Sequence, residues 1–229
     1  ITPYTIYANA GKTQVGLYER YYSNDFVSPD PVTVDVTDNM TGVNFSLTEA
    51  NKDLTITVQD ANGTGLENVS VGAWSYDTGY GFSVWGTTGK TGTVTLKVVP
   101  GEYTAYAYQS GFGNAQKAVS VAEDGTVTPT GGPVFKFRQA DSTVSGTVLD
   151  ENGDPIQWSS ISYTDSDGNS QWGSTDSTGA YTLQVPGGTG VTGTVSAYSW
   201  MHGGNLPASS GVDVTDFAIG ASSTNTGKN

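Results

Sequence analysis

The chain has 229 residues and a formal net charge of −13, from 9 basic and 22 acidic side chains. It contains no cysteine and a single histidine, His202, which excludes disulfides, Cys-ligated metals and sites that need two imidazoles in one chain. The acidic balance argues against nucleic-acid binding through a basic face, and no apolar stretch approaches the roughly 20 residues of a membrane span. We therefore expect no nucleic-acid partner, no direct membrane span and no cofactor.

Residues 1–50 are predicted to form a partial β unit. The segments TPYTIYANA, PVTVDV and TGVNFSL alternate apolar and polar residues and resemble strands found later in the chain. The front half of such a unit is missing, and an isolated fragment would expose apolar side chains and unpaired strand edges. Three arrangements stay open: packing on its own chain, continuation in a longer protein, or insertion of strands into a neighbouring copy. The candidates for insertion are Tyr4, Ile6, Val32, Val34, Val43 and Phe45.

Two longer units follow, at 51–139 and at 140–229, the second with a short C-terminal tail. The D-x-N-G sequence that begins at Asp60 recurs at Asp150, an offset of 90 residues, and the WGTT sequence at 85–88 recurs as WGST at 172–175, an offset of 87. Each unit has about seven strands of period-two alternation, separated by turn residues. The shared register predicts that equivalent side chains are buried in both units, namely Trp85, Leu96 and Val98 in the first and Trp172, Leu183 and Val185 in the second.

The second unit carries the most regular version of this pattern, VSGTVLDENGDPI at 144–156 and STDSTGAYTLQVPGG at 174–188. The pattern resembles carboxypeptidase regulatory-like domains, whose relatives include transthyretin-like and collagen-adhesin B-type repeats. The resemblance implies an all-β fold of tandem seven-stranded sandwiches, immunoglobulin-like or prealbumin-like. It also implies a non-catalytic role as a spacer, stalk or fibre module on a secreted or surface protein.

No catalytic residues are predicted. Asp77-Thr78-Gly79 matches the triplet of aspartic proteases, but that chemistry needs two facing carboxylates and the chain has no second triplet. The single histidine also excludes the zinc peptidase that gives the resembled family its name. A turn between strands is the better interpretation of the triplet, and we expect no enzyme activity.

Two acidic loops have oxygen ligands at alternating positions, as at the start of a calcium loop. Neither has the Gly and Glu that an EF-hand loop requires, so both fit better as turns with self-bonding Asx side chains. Weak calcium binding stays an alternative. Its candidate ligands are Asp150, Asn152, Asp154, Asp165 and Asp167.

Aromatic side chains are the best candidates for a ligand or interface site. Core packing, a protein contact and stacking on sugar rings are the three interpretations, and Trp158, Tyr163 and Trp172 occupy comparable places in the second unit. The candidates in the first unit are Trp74, Tyr76, Tyr80 and Phe82.

Four N-x-S/T sequons would accept glycans in a secreted archaeal or eukaryotic protein. They lie at Asn39, Asn44, Asn62 and Asn68.

The sequence thus favours a non-enzymatic extracellular structural protein, a segment of a cell-surface fibre or stalk. Its expected partners are copies of itself, joined head to tail by β-strand donation, with glycans as a second possibility. The alternative is a carbohydrate- or ligand-binding accessory module of a secreted or surface protein.

Overall fold

The computed structural model describes residues 7–9, 12–15, 26–27, 32–35, 44, 46–75, 82–150, 152–187, 191–198, 212–214 and 224–226. All secondary-structure elements among these residues are β-strands, so the predicted all-β fold class is confirmed. None of the described residues lies in a helix that is long and apolar enough to cross a membrane. The chain divides into two compact units. Unit 1 comprises residues 1–58, 65–107 and 117–135, and unit 2 comprises 59–64, 108–116 and 136–229.

The N-terminal segment contributes two small antiparallel sheets to unit 1. The first has the order β1-β2-β4, and in the second β3 pairs with β5. The strands are β1 (Tyr7–Asn9), β2 (Lys12–Val15), β3 (Phe26–Val27), β4 (Val32–Asp35) and β5 (Thr48–Glu49).

The rest of unit 1 has two layers of strands. One sheet has the order β13-β6-β9 and the other the order β11-β10-β7-β8, with β12 paired to β11. Alternate residues of β6, Leu54, Ile56 and Val58, are fully buried, as expected for a strand with one face on a core. The strands are β6 (Lys52–Asp60), β7 (Ser70–Ser75), β8 (Phe82–Thr87), β9 (Thr93–Val98), β10 (Gly101–Gln109), β11 (Gly113–Val121), β12 (Val127–Thr128) and β13 (Val134–Phe137).

Unit 2 repeats this plan with sheets of order β17-β14-β20 and β19-β18-β15-β16. Its core cluster consists of Val144, Ile161, Tyr163, Tyr181, Leu183, Val185 and Val195. The strands are β14 (Ser142–Thr147), β15 (Ser160–Asp165), β16 (Ser170–Ser174), β17 (Ala180–Val185), β18 (Gly193–Tyr198), β19 (Val212–Val214) and β20 (Thr224–Thr226).

The repeat extends to individual hydrogen bonds. In unit 1 the buried Thr88 hydroxyl accepts the Val69 N–H at 2.9 Å and donates to the Leu66 carbonyl at 2.6 Å. In unit 2 the buried Thr175 hydroxyl makes the same two bonds, to the Ser159 N–H at 2.9 Å and the Ile156 carbonyl at 2.7 Å. Each threonine therefore ties the start of one strand to the end of another in the same way.

The predicted burial of the aliphatic positions is confirmed, whereas that of the two tryptophans is wrong. Leu96 and Leu183 are buried, but the side chains of Trp85 and Trp172 are 53% and 60% exposed. The glycine after each tryptophan faces the core instead, because a Cβ on Gly86 would lie 2.8 Å from Leu96 Cδ2. A Cβ on the glycine after Trp172 would likewise lie 2.6 Å from Leu183 Cδ2. The constant register of the W-G pair thus follows from the space that each leucine occupies.

Candidate functional site

The predicted aromatic candidates of unit 1 are only partly within the described residues. Trp74 is half-buried on β7. Phe82 begins β8, and nothing is described of its side chain. Tyr76 and Tyr80 lie outside the described residues. The best-defined aromatic group of unit 1 is therefore a different one.

That group lies on the outer face of the sheet formed by β10, β7 and β8. Gly72 of β7 pairs with Trp85 of β8, and a Cβ on Gly72 would lie 2.5 Å from the indole carbon Cε3. The indole therefore lies against the bare backbone of Gly72. It also meets Tyr106 of β10 in an edge-to-face arrangement, with ring centroids 6.0 Å apart and planes at 78°. The absence of a side chain at position 72 is what allows aromatic rings from β8 and β10 to meet across β7.

The equivalent face of unit 2 has different neighbours around its tryptophan. Trp172 of β16 pairs with Ser162 of β15, which in turn pairs with Ser196 of β18. Serine thus replaces the glycine below the indole, and at the offset of 90 residues Ser196 replaces Tyr106 beside it. Neither contact that holds Trp85 is available to Trp172.

A third exposed tryptophan occupies a strained backbone position in unit 2. Trp158 has φ of 62° and a side chain that is 58% exposed. Its equivalent in unit 1 is Asn68, with φ of 63°. Asparagine adopts this left-handed region readily, whereas a bulky residue rarely does. These two positions can be matched from the sequence, because they become equivalent when the D-x-N-G turns are aligned at the offset of 90 residues.

In the first acidic loop, the carboxylate of Asp150 bonds its own turn. Its Oδ1 accepts the backbone N–H groups of Asn152 and Asp154, both at 2.8 Å. These bonds, the one from Asp154 first, hold the pKa of Asp150 below its ordinary value of 3.8. Asp60 of the equivalent turn accepts two N–H groups in the same way. The loop geometry is thus that of a self-bonded Asx turn.

The second acidic loop is also internally bonded. The buried Asp165 accepts the backbone N–H groups of Asp167 and Asn169 at 2.9 and 2.8 Å, and the Asn169 side-chain amide at 2.8 Å. Asp167 forms an ion pair with Arg138, with 3.3 Å between Oδ2 and Nε. Across the described part of the chain, no three His, Cys, Asp or Glu side chains form a group that could hold a metal ion. Calcium binding at either loop stays an untested prediction.

The remaining predicted residues are placed as follows. Asn44, Asn62 and Asn68 are exposed, so three of the four sequons present their acceptor residue at the surface. Val32 and Val34 lie in β4 and pair with Val15 and Thr13 of β2. The other predicted sites lie outside the described residues, namely Asn39, Tyr4, Ile6, Val43, Phe45, Asp77 and His202.

Comparison with known proteins yields only distant similarity. No family model matches the chain, and no curated protein is significantly similar to it. The TIE protein of Bacillus anthracis is 14% identical, with a TM-score of 0.32, and the match covers 95% of this chain but 41% of that one. The shaft pilin SpaA of Lactobacillus rhamnosus GG is 12% identical, with a TM-score of 0.29 and coverage of 76% and 96%.

A streptococcal ancillary pilin is 12% identical, with a TM-score of 0.30, and the match covers 95% of this chain and 76% of the pilin. Values this low do not assign the chain to any of these families. The resemblance to carboxypeptidase regulatory-like repeats likewise stays a prediction.

Proposed function

We propose that the chain is a non-enzymatic structural module of an extracellular or cell-surface polymer, and that copies join head to tail by donating a strand to unit 2. The repeated sandwich supports a load-bearing or spacing role, since the same turns and core contacts are built twice. The carboxylates of the two acidic loops are engaged by their own backbones and by Arg138, which leaves them committed to structure.

The main support for the proposal is a difference in side chains between β13 and β20, which we call the closing strands because each lies at one edge of its sheet. β13 lies beside β6, and its Phe135 and Phe137 are both fully buried. In unit 2, β20 lies beside β14, and its three residues are Thr, Asn and Thr. The register of β20 puts Asn225 opposite the fully buried Val144, so a polar residue stands at the middle of this strand, whereas β13 has phenylalanines. Each buried phenylalanine contributes about 1.5–3 kcal/mol through burial, so β20 supplies far less apolar contact.

A second copy of the chain contains a more apolar segment, which would replace β20 beside β14. Residues 43, 45 and 47 of TGVNFSL are Val, Phe and Leu, an alternation like that of GPVFKF at 132–137. Val32 and Val34 are the weaker candidates, because β4 already pairs with β2 in its own chain. Strand addition supplies main-chain hydrogen bonds and alternating side-chain pockets, and a head-to-tail contact that does not close into a ring builds a filament.

Assembly of the full chain, measured by light scattering against protein concentration, tests the proposal. The variant Phe45→Asp places a charge among the donated apolar positions and should abolish assembly. Its matched control is Ser46→Asp, the same charge on the opposite face of the segment, where Ser46 is exposed. This control should assemble like the unmodified chain.

A second variant tests the acceptor. Asn225→Phe gives β20 an apolar side chain opposite Val144, which should keep the chain monomeric and raise its thermal stability. Equal assembly of Phe45→Asp and Ser46→Asp would show strand donation by this segment to be wrong. A full chain that stays monomeric at high concentration would exclude the polymer itself.

The proposed extracellular location has a separate test. Antibody labelling of intact cells should detect the chain without permeabilisation. If the source adds N-glycans, the intact mass of the natural protein should exceed that of the sequence, with the sites at the exposed Asn44, Asn62 or Asn68. Labelling only after permeabilisation would contradict the location.

A further inference from the structure

The outer face of β16, β15 and β18 in unit 2 presents two large aromatic side chains and a set of small hydroxyls. Alternation along the strands sets this face, because Ile161, Tyr163 and Val195 point into the core. Trp172 is 60% exposed and Tyr198 is 50% exposed. We call this surface the serine face. It consists of Ser160, Ser162, Trp172, Ser174, Ser196 and Tyr198.

Strand pairing fixes the spacing of the serine face. Trp172 pairs with Ser162, and Tyr198 pairs with Ser160, so the two aromatic residues lie diagonally across β15. Strands lie about 4.8 Å apart and residues rise about 3.4 Å along a strand, so the diagonal puts the backbones of Trp172 and Tyr198 about 12 Å from each other. The short side chains of Ser160 and Ser162 lie between them on β15, where Ser160 is half-buried and Ser162 is only 7% exposed. The arrangement is two exposed aromatic side chains on either side of a row of serines.

The indole of Trp172 has different neighbours from its equivalent in unit 1. Trp85 lies against Gly72, in space that a Cβ would occupy, and meets Tyr106 edge to face. Trp172 pairs instead with Ser162, and Ser196 is the next residue across the sheet. The two indoles are nearly equally exposed, at 53% and 60%, so the difference between the units lies in the hydroxyl side chains beside Trp172.

The charge of the serine face restricts its ligand. None of its six side chains carries a charge at neutral pH, and the chain as a whole has a net charge of −13. An anionic ligand such as a nucleic acid or a uronic-acid polymer would find no cation here and would be repelled by the chain. Exposed indole and phenol rings offer flat apolar surface with a polar tip, and hydroxyls both donate and accept hydrogen bonds.

We propose that the serine face binds a neutral glycan. A sugar ring stacks its C–H face on Trp172, and its hydroxyls exchange hydrogen bonds with the half-buried Ser160 and Ser196, while Tyr198 bounds the other side. This role goes beyond the structural role proposed above, because it would make each copy of the module adhesive.

The test is a titration of the full chain followed by calorimetry and tryptophan fluorescence. The probes are neutral hexasaccharides of glucose, mannose, galactose and N-acetylglucosamine, with hyaluronan and polygalacturonate as anionic probes and a proline-rich peptide as a third class. We expect at least one neutral hexasaccharide to bind saturably, with a Kd of about 0.1–1 mM. Trp172→Ala should weaken that binding at least about tenfold.

Two further variants make the result specific. Trp85→Ala removes the equivalent tryptophan of unit 1 and should leave binding unchanged. Tyr198→Ala removes the second exposed ring of the serine face and should also weaken binding. Circular dichroism of each variant checks the fold, which the truncation of an exposed side chain is not expected to disturb.

The proposal is overturned if no neutral hexasaccharide binds, if Trp172→Ala binds as tightly as the unmodified chain, or if only the anionic probes or the peptide bind. The outcome is independent of strand donation, because the donor variant Phe45→Asp leaves all six residues of the serine face in place.

Discussion

Unit 1 and unit 2 are built from the same turns, yet they differ at one sheet face and at one closing strand. The threonines Thr88 and Thr175 make identical pairs of buried hydrogen bonds. By contrast, Gly72 faces Trp85 where Ser162 faces Trp172, and β13 brings phenylalanines where β20 brings polar residues. Buried polar groups are retained because leaving one unpaired is costly. Residues on outer sheet faces and edge strands do not have to satisfy buried polar groups, so the two units differ in sequence mainly at these surfaces.

The largest expected effect is a difference in the free energy of unfolding between variants of β13 and variants of β20. Phe135→Ala should lower the free energy of unfolding of unit 1 by about 3–5 kcal/mol, because it removes a fully buried ring and leaves a cavity. Val134→Ala, on the exposed side of the same strand, is the control and should change it little. Asn225→Ala in unit 2 should cost less than about 0.5 kcal/mol. Chemical denaturation measures all three, and a large loss for Asn225→Ala would contradict the proposed difference.

The next effect should be equal in the two units. Thr88→Val and Thr175→Val each keep the side-chain shape but remove one donor and one acceptor. Each should lower the free energy of unfolding by about 1–3 kcal/mol, because a buried N–H and a carbonyl lose their partner. Clearly unequal losses would show that the two hydrogen-bond pairs are not equivalent.

Alkaline pH should also act on both units. Burial raises the pKa of Tyr103 to about 12, and burial together with the nearby Asp165 carboxylate raises that of Tyr163 to about 12. Since both values exceed the ordinary 10.0, the unfolded state loses its protons first. Stability should be fully present below pH 10 and fall as the pH rises towards 12. Tyr→Phe at both positions should flatten this decline in a denaturation series against pH.

A smaller effect should come from Gly72→Ser, which gives unit 1 the residue of unit 2. The new Cβ would displace the indole of Trp85 and break its contact with Tyr106, a contact worth about 0.5–1.5 kcal/mol. The emission of Trp85 should shift to longer wavelength as its half-exposed indole loses the contacts with Gly72 and Tyr106. An unchanged spectrum and stability would mean that the glycine does not control the ring.

The smallest effect should be a gain. Trp158→Asn gives unit 2 the residue that unit 1 has at this left-handed position and should stabilise it by about 0.5–1 kcal/mol. The reciprocal change, Asn68→Trp, should destabilise unit 1 by a similar amount. A loss of stability in Trp158→Asn would show that the tryptophan side chain makes a contact that outweighs the backbone strain.

The fold could be predicted largely from the sequence, because its signals are local and occur twice. The D-x-N-G turns at Asp60 and Asp150 and the alternation around Leu96 and Leu183 mark the strand ends and the core faces. The predicted burial of Trp85 and Trp172 is wrong because a constant register does not by itself indicate burial. Strict alternation from the buried Val84 would have placed Trp85 outside.

The candidate sites were less predictable. The serine face depends on which residues of β15, β16 and β18 are opposite one another. The sequence of a single strand does not specify its register with a strand that is distant in the chain. The left-handed backbone of Trp158 was hidden for a different reason, since no local signal marks a tryptophan for that conformation. Only the comparison with Asn68 reveals it.

The hydroxyl pairs that cross neighbouring strands have a consequence for the conditions under which the protein can work. On the outer faces, Thr55 bonds Thr95 with 3.0 Å between their oxygens, and Ser145 bonds Thr182 at 2.9 Å. Many proteins place charged pairs at such positions, and those weaken as dissolved ions screen them. A bond between two neutral hydroxyls is not screened. These two cross-strand bonds should therefore contribute as much in brine as in dilute water, whereas the exposed ion pair between Lys97 and Asp53 on the same β6–β9 ladder should weaken as salt is added.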